Sequence, residues 1–356
     1  MAYTTIDDPT SFFNTILYTG DGNTSRGITG VGFQPDWLWI KRRDATEGHV
    51  LFDVVRSADA RLQSNNNSVE ADRPNIVYSF DSDGFSISQS GVDNASNNNG
   101  GTYVAWNWLA GTSFSNDASS TGVGSIDSSG SINTTAGFSI IGFTGNAQTG
   151  TTIAHGLGVK PDWIILKNRG PDIANWQVYH SSLTATHYIQ LNSDGAATDS
   201  NTRWNDTEPT STVFTTGSSG DVKGDSSGET FIAYCFTSKK GFSKFGSYTG
   251  NGNADGPFVY TGFKPAFLIV KISSGTNEWT MRDNKRDVDN STNHTLYPNL
   301  NSAEAGGSGE GIDFLSNGFK LRLSAGSLNG NNSTYIYMAF AESPFVNSNG
   351  IPNNAR

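Results

Sequence analysis

Apolar positions in this chain fall in short alternating runs, broken about every ten residues by Gly, Asn, Asp or Ser. Alternation of this kind predicts half-buried strands, and the turn spacing predicts sandwiches or jelly rolls. No long segment carries the 3.6-residue period of a helix; residues 53–62 leave room for a turn or two at most. The pattern then recurs. An aromatic-Thr-Gly opener stands at Tyr18-Thr19-Gly20, Phe143-Thr144-Gly145 and Tyr248-Thr249-Gly250. A Pro and an apolar run ending in Lys follow at Pro35 to Lys41, Pro161 to Lys167 and Pro265 to Lys271. Closing strands read out at 102–106, 230–234 and 334–338. Fainter matches lie between, with a second strand starting at His49, Trp176 and Trp279 and a returning Phe at Phe85, Phe214 and Phe319. From opening Gly to Pro is 15, 16 and 15 residues, and from Pro to the closing aromatic 68, 70 and 70. Spacing this regular marks three copies of one unit.

The expected fold is therefore all-β, three tandem jelly-roll-like β-sandwich modules. The divisions are an N-terminal arm (1–12), module one (13–110), a Gly/Ser-rich linker or hairpin extension (111–136), module two (137–240), module three (241–346) and a tail (347–356). The structural landmarks are Pro35 and Trp37, Pro161 and Trp163, and Pro265 and Phe267. Each Pro suits a strand start, where no ladder donor is needed. The run after Pro35 is apolar on both faces, Trp37 and Trp39 on one and Leu38 and Ile40 on the other, so it predicts a central strand covered on both sides. The short Lys239-Lys240-Gly241 junction predicts a rigid pair of modules two and three with module one set apart. Three like modules also suggest a pseudo-three-fold body.

Composition narrows the function classes. The net charge of −10 argues against a nucleic-acid binder and against adhesion to an anionic membrane. Cys235 is the single cysteine, so no internal disulfide forms, and its apolar context predicts a buried thiol. The segment Met1 to Asp8 has neither the basic stretch nor the apolar run of a secretory signal. The five histidines, His49, His155, His180, His187 and His294, show no metal-ligand spacing and are expected in turns or at the surface. At the position of His180 the other modules carry Asp53 and Asp283. Asp81-Ser82-Asp83-Gly84 reads better as a β-turn than as a calcium loop. No catalytic motif, metal site or cofactor fingerprint appears, and the expectation is a non-enzyme. What remains for binding is a surface of Asn, Ser and Thr with aromatics on loops, suited to sugar hydroxyls and sugar faces. The ligand-binding candidates are Asn98 and Asn99 in an Asn-rich loop, and Trp204 with Asn205; Trp204 fits either a binding or a packing role.

Met1-Ala-Tyr-Thr-Thr-Ile-Asp-Asp8, Phe13-Asn14, Tyr18-Thr19-Gly20, Gly30-Val-Gly-Phe-Gln-Pro-Asp-Trp37 and Val104-Ala-Trp-Asn-Trp108 resemble virion proteins of tailed phages from marine bacteria. The close, Ala339-Phe-Ala-Glu-Ser-Pro-Phe345 followed by Gly350-Ile-Pro352 and Ala355-Arg356, is similar to the usual C-terminus of such proteins. These are described as tail-fibre or structural proteins built from repeats. The resemblance implies a virion location, assembly in host cytoplasm with release by lysis, and capsid or tail proteins as partners. It implies a tail-fibre or spike part that recognises host-surface glycan, or a decoration protein that stabilises the particle; a polysaccharide depolymerase is a further alternative. A homo-oligomer is compatible with it, and it supplies no catalytic residues.

Overall fold

The computed structural model describes residues 4–74, 76–89, 94–170, 173–306 and 311–345. The tail assigned to 347–356 lies outside them. The chain is all-β, built from antiparallel two-sheet sandwiches. In each module the larger sheet begins with an opening strand (Phe13–Thr19, Phe138–Thr144, Ser243–Thr249) paired to a closing strand (Thr102–Trp108, Thr230–Phe236, Thr334–Pro344). The post-proline strand (Trp37–Arg42, Trp163–Asn168, Phe263–Ile272) pairs with the closing strand on one side and a second strand (Val50–Asp53, Gln177–His180, Thr280–Asp283) on the other. The registers coincide: Trp37 stands opposite Trp108 and Asp53, Trp163 opposite Phe236 and His180, and Phe267 opposite Phe340 and Asp283. A small second sheet covers one face in each module: Arg26–Thr29, Gly84–Ile87 and Val77–Asp81 in module one, Thr152–Ala154 and Val213–Thr215 in module two, and Phe258–Tyr260, Gly318–Leu321 and Ile312–Leu315 in module three.

Both faces of the post-proline strands are buried, for two different reasons. Leu38 and Ile40 face module one's own sandwich core. Trp37 and Trp39 face a second core shared with Trp163, Ile165, Phe267 and Ile269 of the other modules. The larger sheets thus turn their outer faces inward on one another around a pseudo-three-fold axis. Trp37 of module one stacks on Tyr234 of module two at 4.4 Å, and Trp106 of module one meets Phe267 of module three at 5.7 Å. Trp163 of module two meets Trp279 of module three at 5.9 Å. Ile6 from the N-terminal arm is buried in the same core.

Backbone bonds close the ring. Ala174 N–H donates to the Asn67 carbonyl, Asn277 N–H to Asp194 and Glu47 N–H to Asn301, at 3.3, 3.0 and 2.9 Å. These are equivalent bonds at the seams from module one to two, two to three and three to one. The expected pair-plus-one arrangement is therefore corrected: every module touches both others. Residues 111–136 do not separate module one from the rest. They form strands Thr112–Asn116 and Ser128–Asn133, which extend module two's larger sheet beyond Phe138–Thr144.

Two local expectations also change. Pro35 and Pro161 precede their strands, but Pro265 lies inside Phe263–Ile272, at register shifts that a bulge accommodates. Residues 53–62 form no helix; a turn leads into strand Ser57–Leu62.

The opening Gly has a steric cause. Gly20 N–H donates to the Gly101 carbonyl and Gly100 N–H returns to Gly20; Gly145 with Glu229 and Gly228, and Gly250 with Ser333 and Asn332, repeat the exchange. A Cβ on Gly20 would come 2.1 Å from the Asn98 carbonyl oxygen. Gly20→Ala is expected to lower stability by roughly 1–3 kcal/mol, the usual cost of overpacking. Gly326→Ala, where an added Cβ meets nothing within 4 Å, should stay within about 0.5 kcal/mol. Urea unfolding of the two variants checks the contrast.

Candidate functional site

The insertion that lengthens module two's sheet builds a groove. On one face Phe114, Ile126 and Ile132 pack against module two's sandwich core. On the other face Ser115 pairs with Ser129, Ser129 with Gly142 and Gly142 with Ile232, so these residues lie in one row. Ile232 belongs to the shared central core. The face that is apolar at the axis therefore runs outward into serine and glycine, and Thr144 opposite Thr230 forms a second polar row. A cavity of about 740 Å³ stands over this floor. Val55 of module one walls it on the inner side, close enough that a Cβ on Gly142 would lie 3.3 Å from it.

Charge is distributed unevenly around the rim. Asp117 and Asp127 hold the helical turn Ala118–Thr121 between the two inserted strands: Asp117 Oδ1 accepts from Ser120 N–H at 3.1 Å and Asp127 Oδ1 from Ala118 N–H at 2.9 Å. The Ser119 hydroxyl and Ser120 amide hold the Asp117 carboxyl below its ordinary pKa. On the far side Arg169 grips Glu70 of module one through two hydrogen bonds of 2.8 and 2.7 Å. Burial alone would raise Glu70; Arg169 and Arg56 outweigh it and hold the carboxyl low. The groove thus offers hydroxyls, carboxylates and a fixed guanidinium over small apolar contacts, a donor and acceptor set matched to polyols.

The sequence-predicted binding residues lie elsewhere, and none lines this groove. Trp204 is corrected to a packing residue. It is 1% exposed within module two's core, edge-on to Tyr179 at 5.9 Å, so no ring face is open to a sugar. Asn205 caps the helical turn before it in a left-handed conformation. Asn98 is half-buried and spends its side chain on Asn94 Oδ1 at 2.6 Å. Asn99 is exposed beside Gly22, and Asn331 repeats that position beside Gly252 in module three, which identifies turn structure. Sequence reasoning missed Ser115, Ser129, Asp127 and Arg169. The insertion was visible; the cue was its Ser-and-Gly alternation on one face with Phe114, Ile126 and Ile132 on the other.

The histidines require a second correction. His49, His155 and His180 are fully buried. Their strands end at the seams or under the insertion, where tertiary packing overrides the surface preference of the residue type. Burial pushes His155 and His180 down to about 4, and His49 well below its ordinary value. The unfolded chain takes up these protons below about pH 6.5 while the native protein does not. Stability present above that pH is therefore lost as pH falls toward 4. At about 1.4 kcal/mol per unit, His155 and His180 each account for roughly 3 kcal/mol by pH 4. Urea midpoints measured at pH 7, 5.5 and 4 should fall steeply, and a flat profile contradicts the assignment.

Cys235 is a buried free thiol, pushed up to about 12 by burial. Among the described residues no group of three or more His, Cys, Asp or Glu is placed to hold a metal ion. Asp83 closes a two-residue turn and accepts from Gly30 and Gly32 N–H. No helix among the described residues is long and apolar enough to cross a membrane. A family model described as a domain of unknown function (DUF7483) matches residues 8–344, spanning all three modules. No curated protein matches the chain.

Proposed function

We propose, for a chain that belongs to the DUF7483 family over its full three-module length, a role as a phage virion surface protein that contacts host-surface glycan as part of a tail fibre or spike. The observation that carries this reading is the polar groove at the seam of modules one and two. Sugar recognition needs planar acceptors and donors beside small apolar contacts, and the groove supplies Asp117, Asp127 and Arg169 beside Val55 and Ile126. The closed ring supports it further, because a site spanning two modules keeps its shape only if the modules do not move. The reading is non-catalytic.

The test is retention of the purified protein on polysaccharide extracted from candidate host cells. Binding is expected, with at least a tenfold loss in Ser129→Trp, which fills the floor from an exposed position. No binding, or binding indifferent to Ser129→Trp, contradicts the site. Release of reducing sugar ends overturns the non-enzymatic part.

A second reading, particle decoration, is favoured by the pseudo-three-fold body itself, whose symmetry matches a three-fold position in a shell. Locating the protein in a density map of the particle separates the two: a lattice position supports decoration and a distal tail position the glycan reading.

A further inference from the structure

The small sheets share a feature that the glycan reading does not use. Their first strands, Arg26–Thr29, Thr152–Ala154 and Phe258–Tyr260, occupy equivalent positions: Ile28 stands opposite Phe85, Ile153 opposite Phe214 and Val259 opposite Phe319. On each, the middle residue faces the paired strand, as the close approach of the Ile28 carbonyl to Gly84 and of the Val259 carbonyl to Gly318 requires. The residues on either side of it therefore aim their backbone groups away from the sheet.

The three modules treat this outward edge differently. In module two the chain covers it with its own insertion. Ile126 bridges Ile153 in the parallel sense. Ser125 N–H donates to the Thr152 carbonyl at 2.8 Å, Thr152 N–H donates to the Ser125 hydroxyl at 2.8 Å, and the Ser128 hydroxyl donates to the Ala154 carbonyl at 2.9 Å. In module three Lys244 Nζ donates to the Tyr260 carbonyl at 2.9 Å, and the large Phe258 and Tyr260 side chains stand out at 44% and 49% exposure. A lysine on an edge is a standard guard against strand addition. In module one the corresponding residues are Gly27 and Thr29, both exposed, and among the described residues neither an inserted strand nor a lysine lies over them.

We propose that the module one edge, Arg26–Thr29, binds an extended strand from a partner protein by parallel β-addition, in the manner that residues 124–128 cover the same edge of module two. The occupant is a polypeptide strand with small residues against Gly27 and Thr29 and a β-branched residue opposite Ile28. The plug fixes this chemistry: Gly124 and Ser125 precede Ile126, an added Cβ on Gly124 would lie 3.0 Å from the Thr152 carbonyl oxygen, and on the other side it is Ser128 that reaches the Ala154 carbonyl. Main-chain bonds supply the affinity and the small flanking residues the selectivity.

The probe is a synthetic peptide of residues 122–129, titrated into the full chain labelled with 15N. Expected are saturable amide shifts and slowed exchange confined to Arg26–Thr29 and its neighbours. A peptide N-methylated at its Ser125 position should bind at least tenfold more weakly. Thr29→Lys, which places a lysine on the edge strand itself at an exposed position, should also cost at least tenfold with an unchanged melting temperature. Absence of shifts at 10 mM peptide, or binding unaltered by Thr29→Lys, overturns the proposal. Concentration-dependent self-association abolished by Thr29→Lys also overturns it, because the occupant is then a second copy.

Discussion

Arg56→Ala is expected to destabilise the protein by about 3–5 kcal/mol, the cost of leaving a buried charge without its partner. Arg56 and Asp53 are both fully buried, with Nε to Oδ2 at 2.6 Å. Asp53 Oδ1 also accepts the backbone N–H groups of Val55 and Arg56. The guanidinium goes on to the Ala60 and Leu51 carbonyls and to Glu70, so every edge of the fork is used. Burial opposes its charge; Asp53, Tyr234 and Glu70 outweigh burial and hold the guanidinium protonated. Tyr234 of module two donates to Asp53 at 2.7 Å and Arg169 of module two binds Glu70, so the network stitches two modules. Removing Arg56 strands Asp53 and loosens the wall of the groove. At the per-residue unfolding entropy typical of globular proteins, the loss corresponds to a fall in melting temperature of about 4–7 °C. Module three repeats the arrangement with Asp283, Arg286, Glu304 and Arg43, and Trp106 takes the place of Tyr234. Arg286→Ala should therefore match Arg56→Ala within about 1 kcal/mol, inside the spread that context imposes. A joint Asp53→Leu, Arg56→Met change should recover part of the loss, since it removes the stranded charge while the Val55 and Arg56 N–H groups and the Tyr234 hydroxyl lose their acceptor. Recovery in neither sense would show that the network is not what holds the seam.

The second large effect is expected at the axis. Trp37→Ala should cost about 3–5 kcal/mol, the range for deleting a buried aromatic. Trp37 is 1% exposed and lies 4.4 Å from Trp108 and 4.4 Å from Tyr234 of module two. Phe138 and Phe236 of module two, stacked on each other at 4.6 Å, both pack against it at 5.9 Å. The cavity is thus shared between modules. Near-ultraviolet circular dichroism and guanidinium unfolding should show loss of module two's aromatic packing together with module one's. Ile28→Ala, which opens only module one's own core, should leave module two's signals intact under the same conditions.

The Trp37 strand illustrates what could be read from the sequence. Its double apolar face correctly predicted burial on both sides, but not that one side is closed by other modules, because no local pattern records a partner surface. Trp204 shows the converse limit. Its polar neighbours fit a binding and a packing role equally, and its burial depends on Tyr179 and on strands distant in sequence. The histidines fail for the same reason. Asp53, His180 and Asp283 align in sequence, and the structure explains their scatter. Two seams are ionic, and the third replaces aspartate with His180 and arginine with Leu183. Glu70 and Glu304 likewise meet Arg169 and Arg43, whereas Ala197 meets Ser273 through backbone alone. The groove was the hardest feature to foresee, because its floor is a continuation of the central core's own face and becomes visible only once the insertion is seen to pair with module two.

The closed ring requires that the three modules fold as one body around a shared core. Differential scanning calorimetry of the intact chain tests this most directly. A common core predicts one transition whose calorimetric and van't Hoff enthalpies agree, and Trp37→Ala should shift that transition as a whole. Two or three resolved transitions, with only one of them moved by Trp37→Ala, would contradict the closed ring.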